Sequence, residues 1–170
     1  LHEAEAGKKK VLRPREDIHL PAAVKRTANP KSNFLWDNAA YLLGIDGKGK
    51  PDLTAKCFAT AVLLHHELLD DVDSPFSHAV LAFFDTWQPA EAAQHPALVD
   101  DYDKLIAGAN LVFYVNGQYP ADDPAICAAW QAHYDGDSDA PKQQCLVTGE
   151  LDEIAAVHPA IKGVRDAQSS

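Results

Sequence analysis

The sequence predicts an α+β fold, mostly helical, with one or two small β-hairpins or a small sheet. Three observations predict it. Apolar residues recur at helical spacing through 53–72, where Phe58, Val62, Leu69 and Val72 share a face with Ala61 and Leu68 beside them. Ser74-Pro75 and Asp123-Pro124 mark helix starts, because proline suits the first helical position and serine accepts from early N–H groups. Asn110–Asn116 then switches to β-forming residues and runs into Gly117, and Asn-Gly is a strong hairpin signal.

In chain order, residues 1–33 read as an irregular basic segment broken by Pro14, Pro21 and Pro30, with Val11-Leu12 and Ile18–Val24 as candidate strand edges. Residues 34–170 form the α+β body. Phe34–Leu43 reads as a short helix closed by Gly44, where a residue without Cβ takes the left-handed conformation cheaply. A loop at 46–51 precedes the longest helix, Leu53–Val72, with Asp52 or Thr54 as its cap. The helix opened by Ser74 carries Val80, Leu81, Phe83, Phe84 and Trp87 and stops at Pro89. A third helix is expected from Pro96 to Ala107, and a fourth from Pro124 with Ile126, Ala129, Trp130 and Tyr134. Past the acidic loop Asp135–Ala140, Cys145–Gly149 is expected to pair with Ile154–Val157 across 150–153. Phe58, Val62, Leu69, Phe83, Trp87 and Trp130 are expected to be buried together, with Cys57 and Cys127 as small core residues.

At 170 residues and 46% apolar, the chain can bury a sizeable core and is no disordered tail. It starts at Leu1 and holds no methionine, which predicts a fragment of a longer protein. No stretch approaches the roughly 20 apolar residues of a bilayer span, and the expectation is a cytoplasmic protein without a membrane partner. Cys57, Cys127 and Cys145 are far apart and form no CxxC pair, so a zinc ribbon and a dithiol redox motif are both excluded.

His65-His66-Glu67 with Asp70-Asp71 invites a metal reading, since residues four apart share a helix face. The HExxH pattern is absent, however, and the residues also read as a solvated face with His65 half-buried beside the apolar stripe. Asp135, Asp137 and Asp139 resemble the start of a calcium loop, but the glycine and glutamate that the loop requires are replaced by Ala140 and Leu146. No nucleophile elbow, phosphate loop or dinucleotide fingerprint occurs. The expectation is no catalytic residue, no metal and no cofactor.

The net charge of −10 argues against a nucleic-acid partner until its distribution is read. Residues 1–31 carry eight cations and four carboxylates, a balance of +4, whereas the remainder stands at −14. Screening confines phosphate attraction to about 8 Å at physiological salt, so a basic edge on an acidic body can still bind DNA. Within that edge, Lys25, Arg26, Thr27, Asn29, Lys31 and Asn33 cluster side chains that contact phosphates and base edges, on a proline-containing loop ahead of a helix. The alternative is a solvated turn ending in an Asn or Ser helix cap. Lys8, Lys9 and Lys10 form a second cluster suited to phosphate.

The same loop opens a longer block. VKRTANPKSNFLWDNAAYLLG at 24–44 and CLVTGELDEIAAVHPAIKGVRDAQSS at 145–170 resemble two ordered signatures of the large subunit of the type I-C CRISPR surveillance complex, Cascade. The helices before Trp87, the NLVFYVNG strand and the Asp-Pro with Trp130 follow in the family's order, so the likeness runs from about Lys10 onward. Asp166 stands where the family pattern has glycine.

The resemblance implies a non-catalytic subunit that recognises the protospacer-adjacent motif on double-stranded target DNA and helps open the duplex for guide RNA, beside other Cascade subunits. It also presents the complex to a helicase–nuclease. Guide pairing then reads the target sequence while protein reads a short motif and backbone shape, a division of labour like that of single-protein RNA-guided systems. On this basis Arg26, Thr27, Asn29, Lys31 and Asn33 are the expected motif readers, and Lys8, Lys9, Lys10 and Lys25 the phosphate contacts. Lys162, Arg165, Gln168 and Ser169 are expected to lie near the DNA or support the loop, their alternative being an ordinary strand-and-turn edge. The competing readings are a small-molecule enzyme or binding protein using the His65–Asp71 helix, and a structural domain that only docks on neighbouring subunits.

Overall fold

The computed structural model describes residues 2–6, 9–13, 18–26, 29–136, 142–144, 149 and 151–153. The chain divides into two compact units, 1–131 and 132–170. The expected α+β character holds: helices dominate, and three two-stranded antiparallel sheets accompany them among the described residues.

The first unit begins with a hairpin where an irregular segment was expected, and the candidate strand edge Val11-Leu12 lies in its second strand. Strand β1, His2–Ala6, pairs with β2, Lys9–Arg13, placing Glu5 opposite Lys10 and Glu3 opposite Leu12. Ile18–Val24 forms no strand.

The expected helix at Phe34–Leu43 is a strand followed by one helical turn. Leu35 has φ 63°, a left-handed conformation in which no α-helix can run through it. Strand β3, Trp36–Asn38, pairs antiparallel with β4, Asn110–Val112, with Asp37 opposite Leu111. Asn38 then caps helix α1, Ala39–Leu42, its Oδ1 accepting from the N–H of Ala40 at 3.0 Å. Gly44 follows at φ 67°, and a Cβ there would sit 2.8 Å from Pro89 Cγ, so the position requires glycine.

Helix α2 spans Pro51–Leu69. Neither Asp52 nor Thr54 caps it; Pro51 occupies the first turn and Thr54 Oγ1 donates instead to Lys50 O at 3.1 Å. Its buried stripe is Thr54, Cys57, Ala61, His65 and Leu68-Leu69, with Phe58 and Val62 on the flank. The stripe centre thus lies one residue away from the expected one. A histidine can occupy that centre because both ring nitrogens are bonded: Nδ1 donates to Ala61 O at 2.7 Å and Nε2 accepts from Leu35 N–H at 3.0 Å.

Helix α3, Pro75–Thr86, starts with the expected cap, completed reciprocally by Ser77. Trp87 terminates it and donates its indole N–H to Leu43 O at 2.9 Å. The third helix is shorter than expected. Pro89–Gln94 is a 3₁₀ turn, residues 95–101 turn by i to i+3 bonds such as Leu98 N–H to His95 O, and α4 covers only Tyr102–Ile106. The Asn-Gly signal is realised locally: Asn116 and Gly117 both take positive φ, and Val115 and Gln118 exchange backbone bonds at 2.9 and 3.0 Å.

Helix α5, Pro124–Gly136, starts at Asp123, whose Oδ1 accepts from Ala125 and Ile126. Its buried side is Ile126 with Trp130 one turn on. Cys127, expected in the core, sits one residue round the helix, exposed, with its thiol donating to Ala121 O.

The six expected core residues share one packed region without being equally buried. Leu69 is fully covered, Phe58, Val62 and Trp130 pack partly exposed against its cluster, and Phe83 bridges to a second cluster where Trp87 lies.

In the second unit, β5, Lys142–Gln144, pairs with β6, Leu151–Glu153. A second hairpin therefore exists, formed by residues flanking and within the expected turn. Residues 145–148 and 154–157, expected to be its strands, lie outside the described residues.

Candidate nucleic-acid interface

The basic loop is fastened to the body through Asp37. Strand β3 carries this carboxylate inward, where it is 1% exposed. Oδ1 accepts from Asn38 N–H at 2.7 Å, and Oδ2 accepts from Asn33 N–H at 2.9 Å and from the Arg26 guanidinium. Arg26 Nε also donates to Lys31 O at 2.8 Å, tying one end of the loop to the other. The guanidinium lies 4.3 Å from the centroid of the Tyr41 ring, a cation–π distance. Burial, assisted by the Cys57 contact, holds the Tyr41 phenol above its ordinary range, while the guanidinium pulls it the other way.

Asn33 is buried, and its Oδ1 accepts from Val24 N–H at 2.9 Å, closing the loop's base. Trp36 Nε1 donates to Pro21 O at 2.8 Å, which anchors the approach to the loop. Arg26 and Asn33 are therefore engaged with the protein itself. Lys25, Asn29 and Lys31 are exposed on the same loop.

The other expected contacts are spread elsewhere. Lys9 and Lys10 stand on β2, opposite Ala6 and Glu5. Lys8, Thr27, Lys162, Arg165, Gln168 and Ser169 lie outside the described residues. Asp37 was missed by sequence reasoning; the signal was the only carboxylate of the block at 24–44, eleven positions after Arg26.

The His65–Asp71 constellation is divided by the fold. His65 faces the core, and burial holds its imidazole down to about 4. His66 lies between Asp70 at 2.8 Å and Asp85 at 3.2 Å, linking α2 to α3 at the surface. Among the described residues no three His, Cys, Asp or Glu side chains are arranged to hold a metal ion. Nor is any described helix long and apolar enough to cross a membrane.

The family model described as CRISPR-associated protein (Cas_Csd1) matches residues 1–170, the whole length of the sequence. The chain belongs to the Cas_Csd1 family. This is the type I-C large-subunit family, as the blocks at 24–44 and 145–170 led one to expect, and membership makes the chain part of a multi-subunit CRISPR complex. No curated protein matches it. Within this Cas_Csd1 chain, the Arg26–Asp37 fastening falls inside the first of those blocks.

Proposed function

We propose that this chain is a non-catalytic, cytoplasmic DNA-binding part of its RNA-guided complex. Its loop at 25–33 recognises the protospacer-adjacent motif on duplex DNA and aids duplex opening for guide-RNA pairing, before a helicase–nuclease is recruited. The observation that carries the reading is the fastening at Asp37. It ties the described ends of a loop whose Lys25, Asn29 and Lys31 are exposed, within the net-positive end of an acidic chain. A loop whose ends are tied before binding loses less conformational entropy on the duplex than one with free ends.

The same reading divides the work. Asn29 and Thr27 read base edges, Lys25 and Lys31 hold phosphates together with Lys8, Lys9 and Lys10, and Arg26 and Asn33 set the loop's form. The C-terminal Lys162, Arg165, Gln168 and Ser169 lie near the DNA or support the loop. The test is affinity of the assembled complex for guide-matched targets carrying right and wrong adjacent motifs. Asn29→Ala is expected to lose roughly 1–3 kcal/mol on the right motif and to relax discrimination at one position. Unchanged affinity and discrimination in the Asn29→Ala, Lys31→Ala double variant rejects the loop as reader.

A further inference from the structure

Beside the loop lies a cleft of about 320 Å³. One wall is the extended stretch at 19–22 and the other is α5 at Cys127 and Trp130, with Phe34 and Leu35 at its base. Three observations distinguish it from a packing gap. Its walls lead directly into the loop, since residue 22 is three positions before Lys25 and Phe34 follows Asn33; residues 18–33 hold three cations and no carboxylate. Its aromatic wall has a set orientation, because the Trp130 ring stacks on buried Phe34 at 5.2 Å and 13°. Its frame is held in place: the Trp36 indole grips Pro21 O, and Leu35 keeps its left-handed backbone through the bond to His65. Backbone strain of this kind persists where surrounding structure over-determines it, as ligand clamps do.

An apolar, aromatic slot whose wall runs on in sequence to the cations of the loop matches a ligand with a flat ring on a phosphate chain. Bases stack on aromatic side chains with little sequence preference, and leave a duplex most cheaply where pairing is already lost. We propose that the cleft receives one unstacked nucleobase from the DNA strand opened beside the loop. This rests on the DNA-reading function proposed above and adds a ligand site to it.

The test is a coupling experiment on the assembled complex. Single abasic nucleotides are scanned through the motif-proximal positions of each DNA strand, and in a separate arm through the guide RNA. Cys127→Trp fills the cleft from an exposed position on α5, and Leu20→Trp fills it from the opposite lip. At one DNA position, loss of the base is expected to weaken binding roughly tenfold in the unaltered complex. Each filled variant should lose a similar factor on intact DNA and nothing further on the abasic DNA. Losses that multiply at every DNA position, or coupling to the guide RNA alone, overturn the proposal. So does a filled variant that folds with an unchanged melting temperature but fails to enter the complex, since a neighbouring subunit then occupies the cleft. Asn29→Ala on the same complex separates the two ideas: relaxed motif discrimination without any coupled base rejects the cleft and leaves the reading loop standing.

Discussion

The backbone N–H of Leu35 donates to His65 Nε2 at 3.0 Å, joining a left-handed residue at the head of β3 to the middle of α2. The other ring nitrogen donates to Ala61 O, so the bonds define a neutral imidazole with its proton on Nδ1. Phe34, Phe84 and Phe113 surround the ring, which leaves no water to solvate a charge. A side chain that reads in sequence as part of a metal constellation is thus the acceptor that holds the strained start of a strand.

Folding stability should therefore fall with acid through this group. Its pKa is about 4 when folded, against 6.5 for an exposed histidine. The unfolded chain takes up the proton first, so the contribution is complete above 6.5 and is lost as pH falls from there toward 4. The full loss is roughly 3 kcal/mol. Urea unfolding of the chain at several pH values measures it, and His65→Gln should flatten the slope in that window. Equal slopes for both chains would show that another group is responsible.

Removing Arg26 should act on stability as well as on DNA. Asp37 is buried, so Arg26→Ala leaves a carboxylate with only its backbone donors and should cost about 2 kcal/mol. In an Asp37→Ala background the same change should cost much less. A double-mutant cycle by denaturant unfolding reads the coupling, and additive losses would mean that the fastening carries no energy.

Lys31→Ala should leave stability within about 0.5 kcal/mol, because the side chain is exposed. It should weaken binding to all adjacent motifs alike and reduce the salt slope of binding by about one unit. Affinity titrations from low to physiological salt supply both quantities. A change confined to one motif would instead make Lys31 a base reader.

Leu69→Ala should cost roughly 2–5 kcal/mol, because the residue is fully covered by the main cluster. Leu63→Ala, on the same helix but 70% exposed, should stay within about 0.5 kcal/mol. Similar denaturation midpoints for the two variants would contradict the orientation of α2.

Gly44→Ala should be destabilising by about 2 kcal/mol, since it adds a Cβ against Pro89 to a left-handed backbone. Pro89→Ala opens that space and should recover only the clash and not the backbone cost. Full recovery in the double variant would show that φ imposes no cost there.

The sequence by itself determined what is local. The α2 periodicity, the Ser74 cap, the Asn116-Gly117 turn and the glycine at 44 all depend on residues within a few positions of one another. The two long blocks likewise sufficed for the family. Tertiary structure alone decided what depends on distant partners. Trp36–Asn38 is a strand because Asn110–Val112 pairs with it, and the left-handed turn at Leu35 that precedes it needs His65 from α2. Cys127 is exposed because Ile126 and Trp130 set the phase of α5 against the core. The composition of the loop pointed to six polar and basic side chains of one kind. Burial of Asp37 turned Arg26 toward the protein, and Val24 turned Asn33 inward, leaving Lys25, Asn29 and Lys31 on its outer face. A buried carboxylate must be paired, and that requirement, invisible in the order of residues, sorts those that shape the loop from those left exposed.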